Sequence, residues 1–151
     1  MPFSDNHKEK YLRKRENLIA TFSGCFGNNA KWRRIFETLS AHADKVGKCF
    51  VKDIWEAPLR ELKIPNNAEY DLVFSSSGFK DGAHSTPYDF KEIAYVCFPA
   101  VWKSKRKMRN EQLEPFIHYQ YIKQIEAILA AIGGIEMDNT EGELRVYGYR
   151  K

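Results

Sequence analysis

The chain is short of cysteine: Cys25, Cys49 and Cys97 are three in 151 residues, odd in number, far apart and unaccompanied by a secretory h-region. That excludes a disulfide framework and leads us to expect a reducing, cytoplasmic setting. Long apolar runs are missing as well. The longest, around Ile125 to Ile132, is interrupted by Glu126 and falls far below the ~20 residues that cross a bilayer, so no membrane span is expected. Nor does one charge sign dominate, because 24 Lys and Arg against 20 Asp and Glu leave a net +4. So mild a basic excess favours acidic partners without demanding nucleic acid. His7, His42, His84 and His118 lie in different expected elements, and no pair shows i, i+4 or C-x-x-C spacing, so neither a metal site nor a cofactor is expected.

Aromatic and apolar residues are plentiful, with 43% hydrophobic and 14% aromatic content spread along the chain, which argues against disorder and for an aromatic-rich core. A chain of this length buries roughly two thirds of its unfolded surface and needs no staples. Residues 1–151 are read as a single domain, with a basic helical segment at 1–28 and an α+β core at 29–151.

His7 to Phe22 reads as a Lys- and Arg-rich helix. The breaker cluster Gly24, Gly27, Asn28 and Asn29 follows, and an Asn there is suited to cap the next helix. In that helix Trp32, Ile35, Phe36 and Leu39 stand at i, i+3, i+4 and i+7 on one face. Lys48 to Trp55 reads as a strand, and Pro58 and Pro65 bracket an irregular connection. Tyr70 to Phe74 and Phe90 to Phe98 then read as two strands able to pair as a long-looped hairpin. Lys103 to Arg109 reads as a solvated basic connector into a helix from Glu111 to Ile132, stopped by Gly133 and Gly134. The tail reads as a hairpin, Ile135 to Met137 with Glu143 to Tyr149, with Leu144 and Val146 on one face. This order gives an α+β fold, an antiparallel sheet of about four to five strands with helices packed on one side.

The stretches Lys31-Trp32-Arg33-Arg34-Ile35-Phe36, Tyr88 to Val96 and Leu144 to Tyr149 resemble a family of small uncharacterised bacterial proteins. Such families resemble, in size and style, the immunity proteins that protect a cell from its neighbours' toxins. The resemblance spans most of Asn29 to Tyr149 and implies a toxin partner; it transfers no catalytic residue.

Among enzymatic readings a metal-dependent nuclease is the sharpest, with Asp71 on one strand and Asp89-Phe90-Lys91 on the next supplying two carboxylates and a lysine. The same acid-x-Lys triplet recurs at Glu61-Leu62-Lys63, which shows how cheaply it arises. Cys49, Cys97 or one of Ser75, Ser76 and Ser77 with His84 or His118 as base would suit nucleophilic catalysis, but the cysteines sit in apolar runs that suit packing. The serine triplet before Gly78 lacks the ending and the following helix of a P-loop. No catalytic residue is therefore assigned.

Binding is the better reading. The loop between the two central runs carries Phe79, Lys80, Asp81, His84 and Tyr88, a mixture of aromatic anchors and hydrogen-bonding groups found in interface cores. Lys105, Arg106 and Lys107 would form an electrostatic rim. The chain is thus expected to be an immunity protein that neutralises a cognate toxin by direct binding. The alternative is nucleic-acid binding through the clusters at Lys31, Arg33 and Arg34 beside Trp32, and at Lys103 to Arg109 beside Trp102.

Overall fold

A computed structural model describes residues 4–80, 89–108 and 111–151, with side chains except at 4, 5, 105–108 and 111–113. Helix α1 spans Ser4–Ile19, the short strand β1 Gly24–Cys25, and helix α2 Asn29–Ala41. Asn28 caps α2, its side chain accepting from the Lys31 N–H at 2.8 Å. Strand β2 runs Phe50–Asp53, β3 Arg60–Glu61 and the single-turn helix α3 Tyr70–Val73, followed by β4 Ile93–Pro99, β5 Val101–Met108 and β6 Glu111–Tyr119. Helix α4 covers Ile122–Ala130, and β7 Met137–Thr140, β8 Glu143–Tyr147 and β9 Tyr149–Arg150 complete the chain.

The expected fold class holds: five antiparallel strands in the order β3-β2-β4-β8-β7 form the main sheet. Its centre is β4, whose run Ile93 to Phe98 is nearly all buried, as a central strand of β-branched and aromatic residues should be. Val51, Val96 and Val146 meet in register on one face. There they join Leu144 and Phe98 of the sheet, Trp32, Ile35, Phe36 and Leu39 of α2, and Ile125 and Leu129 of α4 in one core. The helical spacing of the α2 residues is what delivers all four to that core.

On the opposite face Lys52, Tyr95 and Tyr147 form one cross-strand row and Phe50, Cys97 and Arg145 the next. Just beyond the first row β4 carries a bulge, because Lys52 pairs with Tyr95 and Asp53 with Ile93, leaving Ala94 as the extra residue. Around this bulge Ile54, Ala94 and Tyr149 form a second cluster that receives Leu18, Ile19 and Phe22 from the end of α1 and beyond.

Four expectations are corrected. Tyr70 to Phe74 is no strand: Asn66 caps a short 3-10 turn by accepting from the Glu69 N–H at 3.0 Å, which starts the helical path of α3. Tyr70 and Phe74, one turn apart, bring their rings to 4.8 Å. The long-looped hairpin accordingly does not form, and β4 pairs with β2 and β8 while Phe90–Glu92 is a 3-10 turn before it. The basic run is not a connector but most of strand β5, and the segment expected to be one helix from Glu111 is strand β6 followed by α4. Pro115 explains the second change, since it would break a helix interior, while a two-stranded ribbon accommodates it at an irregularity. The pairing shifts between Ser104 and Arg106, opposite that proline.

Candidate functional site

The structure places five of the eight residues on which a partner surface was expected. Phe79 is a correction: it is 5% exposed and lies among the rings of Phe36, Phe74 and Phe90 at 5.3–5.9 Å. As a large apolar side chain beside an aromatic core it is worth more buried than presented to solvent. Lys80 is exposed, its ammonium donating to the Asp71 carbonyl. Asp81, His84 and Tyr88 lie outside the described residues. Lys105, Arg106 and Lys107 sit on β5, with side chains outside those described.

Among the described residues the enzymatic candidates do not assemble, and His84 lies outside them. Asp71 is exposed on α3, whereas Asp89 bonds Arg15 Nη1 at 2.7 Å. Asp89 is thus held by a guanidinium rather than beside Asp71, and among the described residues no three His, Cys, Asp or Glu side chains converge as ligands. Ser75 turns its hydroxyl inward, donating to the Gly78 carbonyl at 3.1 Å and accepting from the Ser77 and Gly78 N–H groups, so those amides point at the turn itself. Burial pushes the Cys97 thiol up to about 11 and the Cys49 thiol well above its ordinary value, which leaves both protonated and inert at neutral pH. Ser104 Oγ lies 2.7 Å from His118 Nε2, a distance that suits nucleophile and base. The imidazole, however, is stacked flat on Trp102 at 5.3 Å and 10°, on a two-stranded ribbon with no wall to enclose a substrate.

That ribbon is the feature the sequence reading missed. Strands β5 and β6 pair with each other and with no other strand among the described residues. Eight and nine residues long, they make an arm of about 25–30 Å at ~3.3 Å per residue. Its root is fixed by Gln120, whose Oε1 accepts from the Gly47 and Lys48 N–H groups at 2.9 and 3.3 Å. The Gln120 amide donates to the Lys48 and Pro99 carbonyls at 2.9 and 2.6 Å. Trp102 closes against Gly47, where a Cβ would come within 2.7 Å of the indole.

The two faces of the arm differ. Trp102, Ser104, Phe116 and His118 share one face by register, and Val101, Lys103, Ile117 and Tyr119 the other. On the second face Val101, Ile117 and Tyr119 are 49%, 52% and 72% exposed, and Tyr121, just past the strand, is 82% exposed. Four large apolar side chains at one root sit beside a strand that carries Lys103, Lys105, Arg106 and Lys107. This segment, with Arg109 against Glu111 and Glu114, holds most of the chain's net +4 charge. Trp32, the aromatic of the other basic cluster, is 2% exposed and stacked on Phe36 at 5.6 Å, so no base could stack there. The signal that would have found the arm was the pairing of Pro115 with alternating Phe116, Ile117, His118 and Tyr119. Among the described residues no helix is long and apolar enough to cross a membrane. No known protein family, curated protein or solved structure matches this chain, so its function has to be argued from the surface the fold builds.

Proposed function

We propose that this chain is a binding protein that docks its β5–β6 arm onto an acidic surface of a partner protein, neutralising that partner by covering it. The observation that carries the reading is the exposed apolar row Val101, Ile117 and Tyr119, extended by Tyr121, at the foot of a strongly basic ribbon. Exposed apolar and aromatic side chains beside a cation-rich strand suit a protein interface, the cations steering encounter and the rings supplying buried area. A two-stranded ribbon standing alone is only marginally stable in water, and a partner strand or surface on either edge would complete its hydrogen bonds. The resemblance to immunity proteins supports a bacterial toxin as the partner class.

The test places a photocrosslinking amino acid at Tyr119 and, as a control, at Leu72 on α3, in the native host. The expected product is a protein adduct at Tyr119, absent at Leu72 and lost when Ile117→Asp is added. Co-production with the captured protein should relieve its toxicity. A nucleic-acid adduct whose yield collapses as salt rises would identify phosphate binding instead, and no adduct at Tyr119 would end the reading.

A further inference from the structure

The second face of the main sheet builds a cleft that the arm does not use. It holds about 330 Å³ between the end of α1, the half-buried Lys52–Tyr95–Tyr147 row of the central strands and the C-terminal residues, a volume within the range of small-molecule sites. Three tiers make it. The floor is Ala94 and Ile54, left low because the β4 bulge places an alanine, rather than a larger side chain, at the extra position. The first wall is aromatic: Tyr95 and Tyr147 are cross-strand partners with ring centroids 5.9 Å apart, and Phe22 lies 5.3 Å from Tyr149 opposite them.

The third tier is cationic. The Arg145 guanidinium lies 4.4 Å from the Tyr95 centroid and that of Arg150 4.2 Å from the Tyr147 centroid, each a flat cation held on a flat ring. Both are already matched by acids, Arg145 by Glu143 and Arg150 by Glu136 at 3.0 Å and Asp138 at 3.3 Å. Lys151 pairs with Glu56 at the solvent edge. Lys52 is different. It stands in the row Lys52–Tyr95–Tyr147, is half-buried, donates one N–H to the Ala57 carbonyl at 2.8 Å and has no carboxylate partner among the described residues. Asp53 next to it accepts from the Trp55 and Ala57 N–H groups at 2.9 and 3.2 Å through Oδ1 and makes no ion pair with Lys52 among the described residues, although it and Glu56 also line the cleft.

A half-buried ammonium with spare donors, beside tyrosine rings and over an apolar floor, is matched by a ligand that is flat and aromatic at one end and anionic at the other. We propose that this cleft binds a small phosphorylated or otherwise acidic aromatic molecule of mononucleotide size, with Lys52 holding the anionic group and the Tyr95–Tyr147 wall holding the ring. The ring gains by stacking, and the anion gains a charge-assisted bond in a site partly shielded from water.

Three probes separate these contributions: adenosine monophosphate, adenosine and ribose 5-phosphate, titrated into the full chain while backbone amide shifts are followed. The expected result is saturable binding of the monophosphate, roughly tenfold or more tighter than either fragment, with shifts confined to the end of α1 through Phe22, β2, β4, β8 and the C-terminal residues. Lys52→Gln, which keeps a donor for Ala57, should weaken the monophosphate by about tenfold and leave adenosine unchanged. Tyr147→Ala should weaken both. Shifts centred on the arm, equal affinity for the monophosphate and ribose 5-phosphate, or no saturation in the wild-type chain would each overturn the assignment, and the wild-type shift map does so without relying on either variant.

Discussion

Glu92 shows how much of this fold's polar chemistry is structural. Its buried carboxylate accepts from the Tyr11 hydroxyl, from Trp55 Nε1 at 2.7 Å and from Arg15 Nη1 at 3.4 Å, so that α1 and the end of β2 are both tied to the start of β4. Its removal would leave the Tyr11 hydroxyl and the Trp55 indole N–H without their acceptor, while Arg15 would keep Asp89 at 2.7 Å. The tyrosines around it carry a pH signature. Burial first, then the bond to Glu92, pushes the Tyr11 hydroxyl up to about 12 from its ordinary 10.0, and burial does the same to Tyr149. The folded state therefore holds these protons where the unfolded chain releases them. Their contribution is complete below pH 10 and is lost as pH climbs through about 12; for Cys97, raised from 9.0 to about 11, the loss begins near pH 9. The urea midpoint is expected to be level through neutral pH and to fall steadily from pH 9 upward. Tyr149→Phe should cost about 1 kcal/mol at neutral pH, through its 2.9 Å bond to the Lys91 carbonyl, and should make the alkaline fall shallower. A midpoint that stays level to pH 12 would contradict this.

At the scale of elements, the terminal hairpin and the arm mark what local chemistry does and does not announce. The hairpin β7–β8 was legible because Leu144 and Val146 alternate with polar neighbours and Gly142 marks a turn, although the turn is tighter than the spacing alone implied. Thr140 pairs with Glu143, and only Glu141 and Gly142 form the loop, both at positive φ of 54° and 78°. Such two-residue turns favour Asn-Gly over Glu-Gly. Glu141→Asn is therefore expected to stabilise the protein by about 0.5–1 kcal/mol, a rise in Tm of roughly 1–4 °C by calorimetry, and Gly142→Ala to destabilise it by about 1 kcal/mol. No change in either variant would show that the turn is not held as described. Helix α2 was legible because its cap and its stripe agree. The arm was not, because Ile117, Tyr121, Ile122, Ile125, Leu129 and Ile132 also fit a helical stripe. That stripe joins two elements by chance: Ile117 belongs to a strand face and Ile122 to a helix, and Gln120 between them is bonded to the backbone of 47, 48 and 99, a long-range tie no local spacing reveals. Of the candidate surface, the charge was readable in advance and the apolar foot was not.

At the scale of the molecule, the body and the arm differ in what stabilises them, and that difference is measurable. The five-stranded sheet is closed by α2 and α4 around a single aromatic core, so its central amides open only with global unfolding. Among the described residues of the arm, Val101, Phe116, Ile117 and Tyr119 are left exposed. Past the Trp102–His118 stack β5 pairs with β6, and neither edge of the ribbon pairs with any other strand among the described residues. Since an isolated hairpin is marginal in water, amides of β5 and β6 beyond the root are expected to exchange orders of magnitude faster than those of β2, β4 and β8, while the Gln120-bonded amides of Gly47 and Lys48 remain slow. If the arm is where the partner docks, adding the partner should slow the ribbon amides selectively, because the ligand binds the ordered form and shifts its population. Protection confined to the α2–α4 face would move the interface elsewhere. Ribbon amides as slow as those of β4 in the unbound chain would mean that the arm is already covered, by another copy of the chain, and concentration-dependent exchange would then expose that contact.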